Sequence, residues 1–452
     1  MQRIMLHEAI DLYHSLLDDQ RAADADGEMR AELRKRGLYF GERPLSTVLR
    51  PHFLFTHQWS YLQQETEILL QAFLVAHYAC LHDANLRAQL SLEPYEEQLF
   101  SLDIGGVIPW TTSRLDSFFH IDQNVLQFVE YNGETPAGMG YGDTLGNLFL
   151  ELEPMRRFQE HFYIYSMPTL NSLLEALMRG YNEWGGTEAP QIAIVDWQDV
   201  PTLNEHEICR AFFERSGIRA VMVDPRALEY HDGYLWVSDY RVDMIYKRVL
   251  ISELIQRMGI NNPIVQAVRD RAVMMTNSFS AKLMAKKASF AFLSDERNAH
   301  LFVPEQLRVI HEHIPWTRVV SDRKTIYQGK AIDLLEFITD HREQFVLKPN
   351  DEYGGKGVVL GWEATLDHWN EALGHAATTP YVVQERVSSI MRDFPSFIDG
   401  RLDISPRYVD ADPYVFYGRT VYGCLTRLSS VSLLNVTAGG GSVVPTFLLD
   451  HR

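Results

Sequence analysis

Two short stretches of the chain set Arg114 and Asp116, and again Glu130 and Asn132, two residues apart. On a β-strand alternate side chains share a face, so each pair would point the same way. The residues around them, 111–119 and 125–131, are rich in aromatic, β-branched and apolar types, and Asp122-Gln123-Asn124 between them suits a turn. The two runs are therefore expected to form an antiparallel hairpin with Asp116 roughly opposite Glu130. Facing carboxylates repel unless a cation lies between them. An all-oxygen set of Asp116, Glu130 and Asn132 suits a hard ion such as Mg²⁺. An ordinary hairpin with solvent-facing polar positions would carry the same residues, since charged side chains are mostly exposed.

A second cluster bears on that choice. The apolar run 344–347 delivers Lys348, a loop containing Gly354, Gly355, Lys356 and Gly357 follows, and the apolar Val358-Val359-Leu360 returns. This is a hairpin tip and not a strand-to-helix turn, so it is neither a Walker loop nor a dinucleotide-binding fingerprint. Glycines let the backbone approach a phosphate chain and offer its N–H groups, and Lys356 adds a point charge. A flexible glycine hairpin with a solvated lysine is the simpler alternative. Further on, Pro380-Tyr381-Val382-Val383 leads to Gln384 and Glu385, an apolar strand ending on polar groups able to bond an adenine edge.

Taken together, these motifs resemble the ATP-grasp superfamily, in the circularly permuted branch that includes glutathionylspermidine synthetase. In that branch the metal-binding Asp and the Glu-x-Asn strand precede the Lys-Pro strand and glycine loop, as they do here. The resemblance implies that Asp116, Glu130 and Asn132 hold Mg²⁺ and that Arg114 steadies an acyl phosphate. It implies nucleotide contacts from Lys348, Gly354, Gly355, Lys356, Gly357, Gln384 and Glu385. It also implies an earlier nucleotide-binding lysine, best matched by Lys287, with Lys282 and Lys286 close by. The strand 421–428 offers Arg427 as a phosphate-contacting arginine, and the glycine run within 435–442 as backbone held near ligand or another strand. The likeness covers roughly residues 100–450 and has no counterpart of the Cys/His amidase domain of the bifunctional enzyme. Its implied chemistry is ATP-dependent ligation of a small-molecule or peptide carboxylate to an amine through an acyl phosphate. A kinase-like phosphorylation and a non-catalytic nucleotide-binding scaffold are the alternatives.

The expected fold is α+β or α/β, a permuted ATP-grasp fold with a Rossmann-like βαβ segment and a helical N-terminal region. The expected divisions are a helical region over 1–98, the metal-site hairpin over 99–165, the Rossmann-like segment over 166–265, and two ATP-grasp subdomains over 266–340 and 341–452. In the third of these, Ile192-Ala193-Ile194-Val195 and Ala220-Val221-Met222-Val223 read as strands around a helix closed by Gly217. Arg248 follows a further strand, where it could bind a substrate carboxylate or form a structural salt bridge.

Composition narrows the setting. With 452 residues and 46% hydrophobic content the chain can bury a large core in two or three domains. Cys80, Cys209 and Cys424 sit in apolar or helical contexts and read as buried bystanders, not a disulfide framework. Residues 1–19 mix charges among apolar positions and read as an amphipathic helix, not a signal peptide. There is no run of about 18 apolar residues to span a membrane. A formal charge of -18 opposes general attraction to nucleic acid or anionic lipid. These features fit a cytoplasmic enzyme whose nucleotide is held by a local positive patch. The histidines His341, His368 and His375 show no metal-ligand spacing, and His120 reads as a strand residue.

Overall fold

The computed structural model describes residues 5–102, 108–376, 378–431 and 441–452. Of the glycine run expected near ligand, residues 435–440 lie outside the described residues.

Seventeen strands build the three sheets that matter for the site. In chain order they begin with β1 (His52–Phe55), β2 (Thr112–His120), β3 (Val125–Asn132) and β4 (Phe162–Tyr165). Next come β5 (Ile192–Val195), β6 (Ala220–Val223), β7 (Met244–Lys247) and β8 (Met274–Thr276). Strands β9 (Thr317–Val319), β10 (Phe345–Pro349), β11 (Val359–Leu360) and β12 (Tyr381–Glu385) follow. The last are β13 (Ile390–Ile398), β14 (Arg401–Val409), β15 (Asp412–Phe416), β16 (Thr420–Ser429) and β17 (Ser442–His451).

The largest sheet has nine strands and runs β13-β14-β16-β15-β2-β3, with β17 joining β16 to β1 and β4. Its core is apolar by alternation: Leu115 and Phe119 of β2 and Leu126 and Phe128 of β3 are at most 2% exposed. The β2–β3 turn closes with Asn124 in the left-handed region at φ 55°, which asparagine tolerates. A second, parallel sheet runs β8-β7-β5-β6. The helix Leu203–Arg215 crosses from β5 to β6 and ends just before Gly217, which takes φ 84°. A third, antiparallel sheet runs β9-β12-β10-β11.

The N-terminal region is mainly helical, with helices Leu6–Ser15, Asp19–Lys35 and Thr56–His82. It is not wholly so. The apolar run of β1 pairs in parallel with β17, Phe53 opposite Phe447, and so completes a sheet whose other strands lie mostly near the far end of the chain. The sheets also divide the chain differently from the expected segments. The boundary at 340/341 passes through the third sheet, and β2 and β3 share the large sheet with β13 to β17. No described helix is long and apolar enough to cross a membrane.

Candidate active site

A cleft of about 190 Å³ opens between the large sheet and the third sheet. One wall is the β2–β3 hairpin. Its register sets Asp116 opposite Glu130 and Arg114 opposite Asn132, as alternation predicts. Just beyond them the ladder slips: Asp116 pairs with Glu130, but Ser117 pairs with Phe128, so Val129 is an extra residue on β3. The carbonyl of Val129 accepts a hydrogen bond from Lys348 Nζ at 3.2 Å, tying the two sheets together across the cleft.

At the floor, Asp116 is 3% exposed and fully engaged. Its Oδ1 accepts from Arg114 Nε and from Asn132 Nδ2, both at 2.8 Å, and its Oδ2 accepts from Arg427 Nη2 at 2.7 Å. Burial alone would raise the Asp116 carboxyl, but Arg114 and Arg427 outweigh it and hold it at about 2. Arg427 also donates from Nε to Asp410 at 2.7 Å and lies 3.0 Å from Asp412. Three buried carboxylates thus surround two guanidiniums. Burial, reinforced by repulsion from Asp116, raises both Asp410 and Asp412 above the ordinary carboxylate range.

The expected repulsion between Asp116 and Glu130 is met by protein cations. Glu130 pairs with Lys287 Nζ at 3.0 Å, while Asp116 holds the two arginines. The three neighbouring lysines are placed differently. Lys282 is bound to Glu134 at 2.7 Å and Asp351 at 2.6 Å, and Lys286 to Glu96 at 2.8 Å, whereas Lys287 lines the cleft. Lys287 also donates to the carbonyl of Glu352 at 2.6 Å, which anchors the start of the glycine loop.

The opposite wall is β10, β11 and the loop between them. Lys348 Nζ donates to Gln384 Oε1 at 2.7 Å. Burial pushes Lys348 down to about 8, only partly offset by Glu130. In the loop Gly354, Gly355 and Gly357 take φ of 67°, 75° and 72°, a region L side chains rarely adopt. A Cβ on Gly357 would also meet Pro349 Cγ at 2.7 Å. Lys356 is well exposed and pairs with Glu352 at 3.1 Å. Val129, Val346, Leu360 and Trp362 supply apolar surface that could receive a flat ring.

Other expected positions behave differently. The Gln384 amide is spent on Lys348 and on Thr317 Oγ1 at 3.1 Å, and Glu385 accepts the Tyr327 hydroxyl at 2.8 Å. Gln384 therefore orients Lys348, while both residues still line the cleft. Among the described residues Arg248 makes no salt bridge: it donates to the carbonyls of Pro136 at 2.6 Å and Thr135 at 3.3 Å, bracing the chain after β3. Cys80 and Cys209 are buried and Cys424 is partly buried; all three are free thiols that burial pushes above their ordinary value.

Three site residues escaped the sequence reading. Asp410 and Asp412 carried a signal, two acids at alternate positions entering a strand, but nothing local ties them to Arg427. Asn277, in a segment read only for its lysines, bonds Thr112, Gly133 and Glu134 through its amide and fixes the base of the hairpin.

No protein-family model matches the chain. A putative glutamate–cysteine ligase of Frankia casuarinae is 28% identical over 214 residues, 45% of this chain and 23% of that protein. The chain thus spans about a quarter of the first curated relatives it matches. An uncharacterized protein of Mycobacterium leprae is 22% identical over 444 residues, 91% of this chain and 73% of that protein. Among solved structures, a glutathione synthetase-like effector from Globodera pallida superposes with a TM-score of 0.57 at 13% identity, covering 95% of this chain and 96% of that one. The mixed α/β fold is therefore shared with that effector along nearly the whole chain.

Proposed function

We propose that this protein is an ATP-dependent carboxylate–amine ligase of the ATP-grasp type, in the circularly permuted order. The observation that carries the reading is the convergence, on one cleft, of the hairpin carboxylates, the cations Lys287, Lys348 and Arg427, with Arg114 directly behind Asp116, and a glycine loop that comes later in the chain. The names of the Frankia relative and of the Globodera effector are of the same class, which supports it.

In this reading ATP lies between the two sheets, its base against Val346, Leu360 and Trp362. Lys287, Lys348 and the backbone of residues 354–357 meet the phosphates. Asp116, Glu130 and Asn132 fit a hard cation, because they offer oxygen donors from one face of the β2–β3 hairpin and Asp116 is firmly ionised. Those donors now hold arginines and a lysine, so a metal would share or replace that compensation. Bound Mg²⁺ would supply neutralisation of phosphate charge. A substrate carboxylate oxygen attacks the γ-phosphorus, ADP leaves, and an acyl phosphate forms. An amine nitrogen then attacks the acyl carbon, phosphate departs, and the nitrogen loses a proton to give the amide. Arg114 and Arg427 present guanidinium donors to the transferring group, which suits charge spread over several oxygens.

The test is ADP release across amino acids, short peptides and polyamines with Mg²⁺ and ATP, the products being weighed by mass spectrometry. An amide product with stoichiometric ADP supports the reading. A stable phosphorylated acid or alcohol, with no amide from any pair, would replace it with a kinase.

A further inference from the structure

Outside the cleft, the helix Leu6–Ser15, the segment leading into β1, the β2–β3 turn and strand β13 line a second cavity of about 170 Å³. This is room for a small molecule and not merely one water. Arg50 lines it and is 1% exposed. Its terminal nitrogens donate to the carbonyls of Pro51 at 2.9 Å and Asp393 at 3.0 Å, and its guanidinium packs 3.9 Å from the centre of the Phe394 ring. Among the described residues its Nε has no partner, and the one carboxylate felt by it, Asp393, acts at a distance and not through an ion pair. A buried, unpaired charge costs several kcal/mol, so a guanidinium left in this state calls for a counter-ion.

Among the described residues, the inner part of the cavity, around Arg50, carries no carboxylate of its own: its other polar lining there is His14. His14, also lining the cavity, has a buried Nε2 without a partner. Burial, with Arg50 adding to it, pushes His14 down to about 4. Burial together with Arg50 and Arg392 pushes the neighbouring His52 down to about 3. Arg392 lines the cavity as a second guanidinium, paired at 2.6 Å with Asp122 of the β2–β3 turn. The carboxylates Asp11, Asp122 and Asp393 also line it, but they are exposed and so sit toward its mouth, whereas Arg50 forms the floor.

We propose that this cavity is a binding site for a small oxyanion, a phosphate or a carboxylate, received by Arg392 and, once their buried nitrogens turn toward it, by Arg50 and His14. The inference does not depend on the ligase reading. Binding there would draw Arg392 from Asp122, which makes the turn acid a competitor of the ligand.

Calorimetric titration of the full chain tests it, with inorganic phosphate in one arm and malonate in the other, at an ionic strength fixed with chloride. The work is done in parent protein and in Lys348→Met, which weakens any phosphate site in the cleft. Arg50→Gln would be a poor probe because its core position endangers folding; Arg392 and Asp122 are more exposed. In the Lys348→Met background, Arg392→Ala should weaken binding about tenfold or more, the loss expected of one charge-assisted contact. Asp122→Asn should tighten it several-fold, and the arm that binds more tightly identifies the oxyanion. Binding that vanishes with Lys348→Met alone, or that neither Arg392→Ala nor Asp122→Asn changes, would overturn the proposal. So would the absence of binding in both arms at millimolar concentration.

Discussion

Arg427 and Asp116 are 311 positions apart in the chain, yet Arg427 Nη2 donates to Asp116 Oδ2 at 2.7 Å. The contact spans β16 and β2, which flank β15 in the large sheet, and it gathers Asp410 and Asp412 about the same guanidinium.

Removing that guanidinium should be felt first in stability. Arg427→Met leaves three buried carboxylates with one arginine, a loss of about 3–5 kcal/mol. Asp410 and Asp412 are already raised, and the variant raises them further. Carboxyls raised above their unfolded value bind protons more readily in the folded state, so stability falls as pH rises from about 4 through the folded value. Urea unfolding should therefore show a larger loss at pH 8 than at pH 5. Equal losses at both would mean that the acids are not the cause.

Glu130→Gln behaves otherwise. The pairing of Glu130 with Lys287 means that its removal relieves no net repulsion with Asp116. Because that pair is partly exposed, stability should change by no more than about 1 kcal/mol. Turnover should fall by about 100-fold or more if this carboxylate helps to hold the metal. Thermal melts without metal, alongside ADP release with it, separate the two effects. Unchanged turnover would return the hairpin to an ordinary polar surface.

Nucleotide affinity should carry the signature of Lys348. With its ammonium held at about 8, the charged form is lost as pH rises through that value. Affinity for ATP should be flat below pH 7 and fall by about tenfold per pH unit above 8, until deprotonation of the complex itself sets in. Lys348→Arg keeps its charge throughout and should abolish the slope. A parent profile that stays level to pH 9.5 would place Lys348 outside the phosphate contacts.

Arg114→Lys separates charge from shape. Arg114 reaches Asp116 through two nitrogens and the carbonyl of Ala137 through the third, a fork that lysine cannot reproduce. ATP binding should be nearly normal, and turnover lower by about 100-fold, ~3 kcal/mol. In the parent, hydroxylamine should trap the activated acid as a hydroxamate. A fully active lysine variant would show that position 114 supplies charge alone.

Much of the site was legible because its signals are local. The facing of Asp116 and Glu130 follows from alternation and a short turn, and the glycine hairpin from residues that accept positive φ. The strands β5 and β6 and the helix between them announced themselves by apolar runs bounded by Gly217. These features need only neighbours within a few positions.

Tertiary structure decided the rest. It put Lys287 in the cleft wall and Lys282 and Lys286 on Glu134, Asp351 and Glu96, a placement that depends on where those acids lie in space. It set Gln384 against Lys348 as an acceptor, and it placed the bulge at Val129 that gives that lysine a second one. It paired β1 with β17 and brought Asp410 and Asp412 to Arg427. Periodicity states which face a residue takes on its own element. Which other element that face meets depends on the path of the whole chain, because long-range strand pairing and charge compensation are settled by what is buried together.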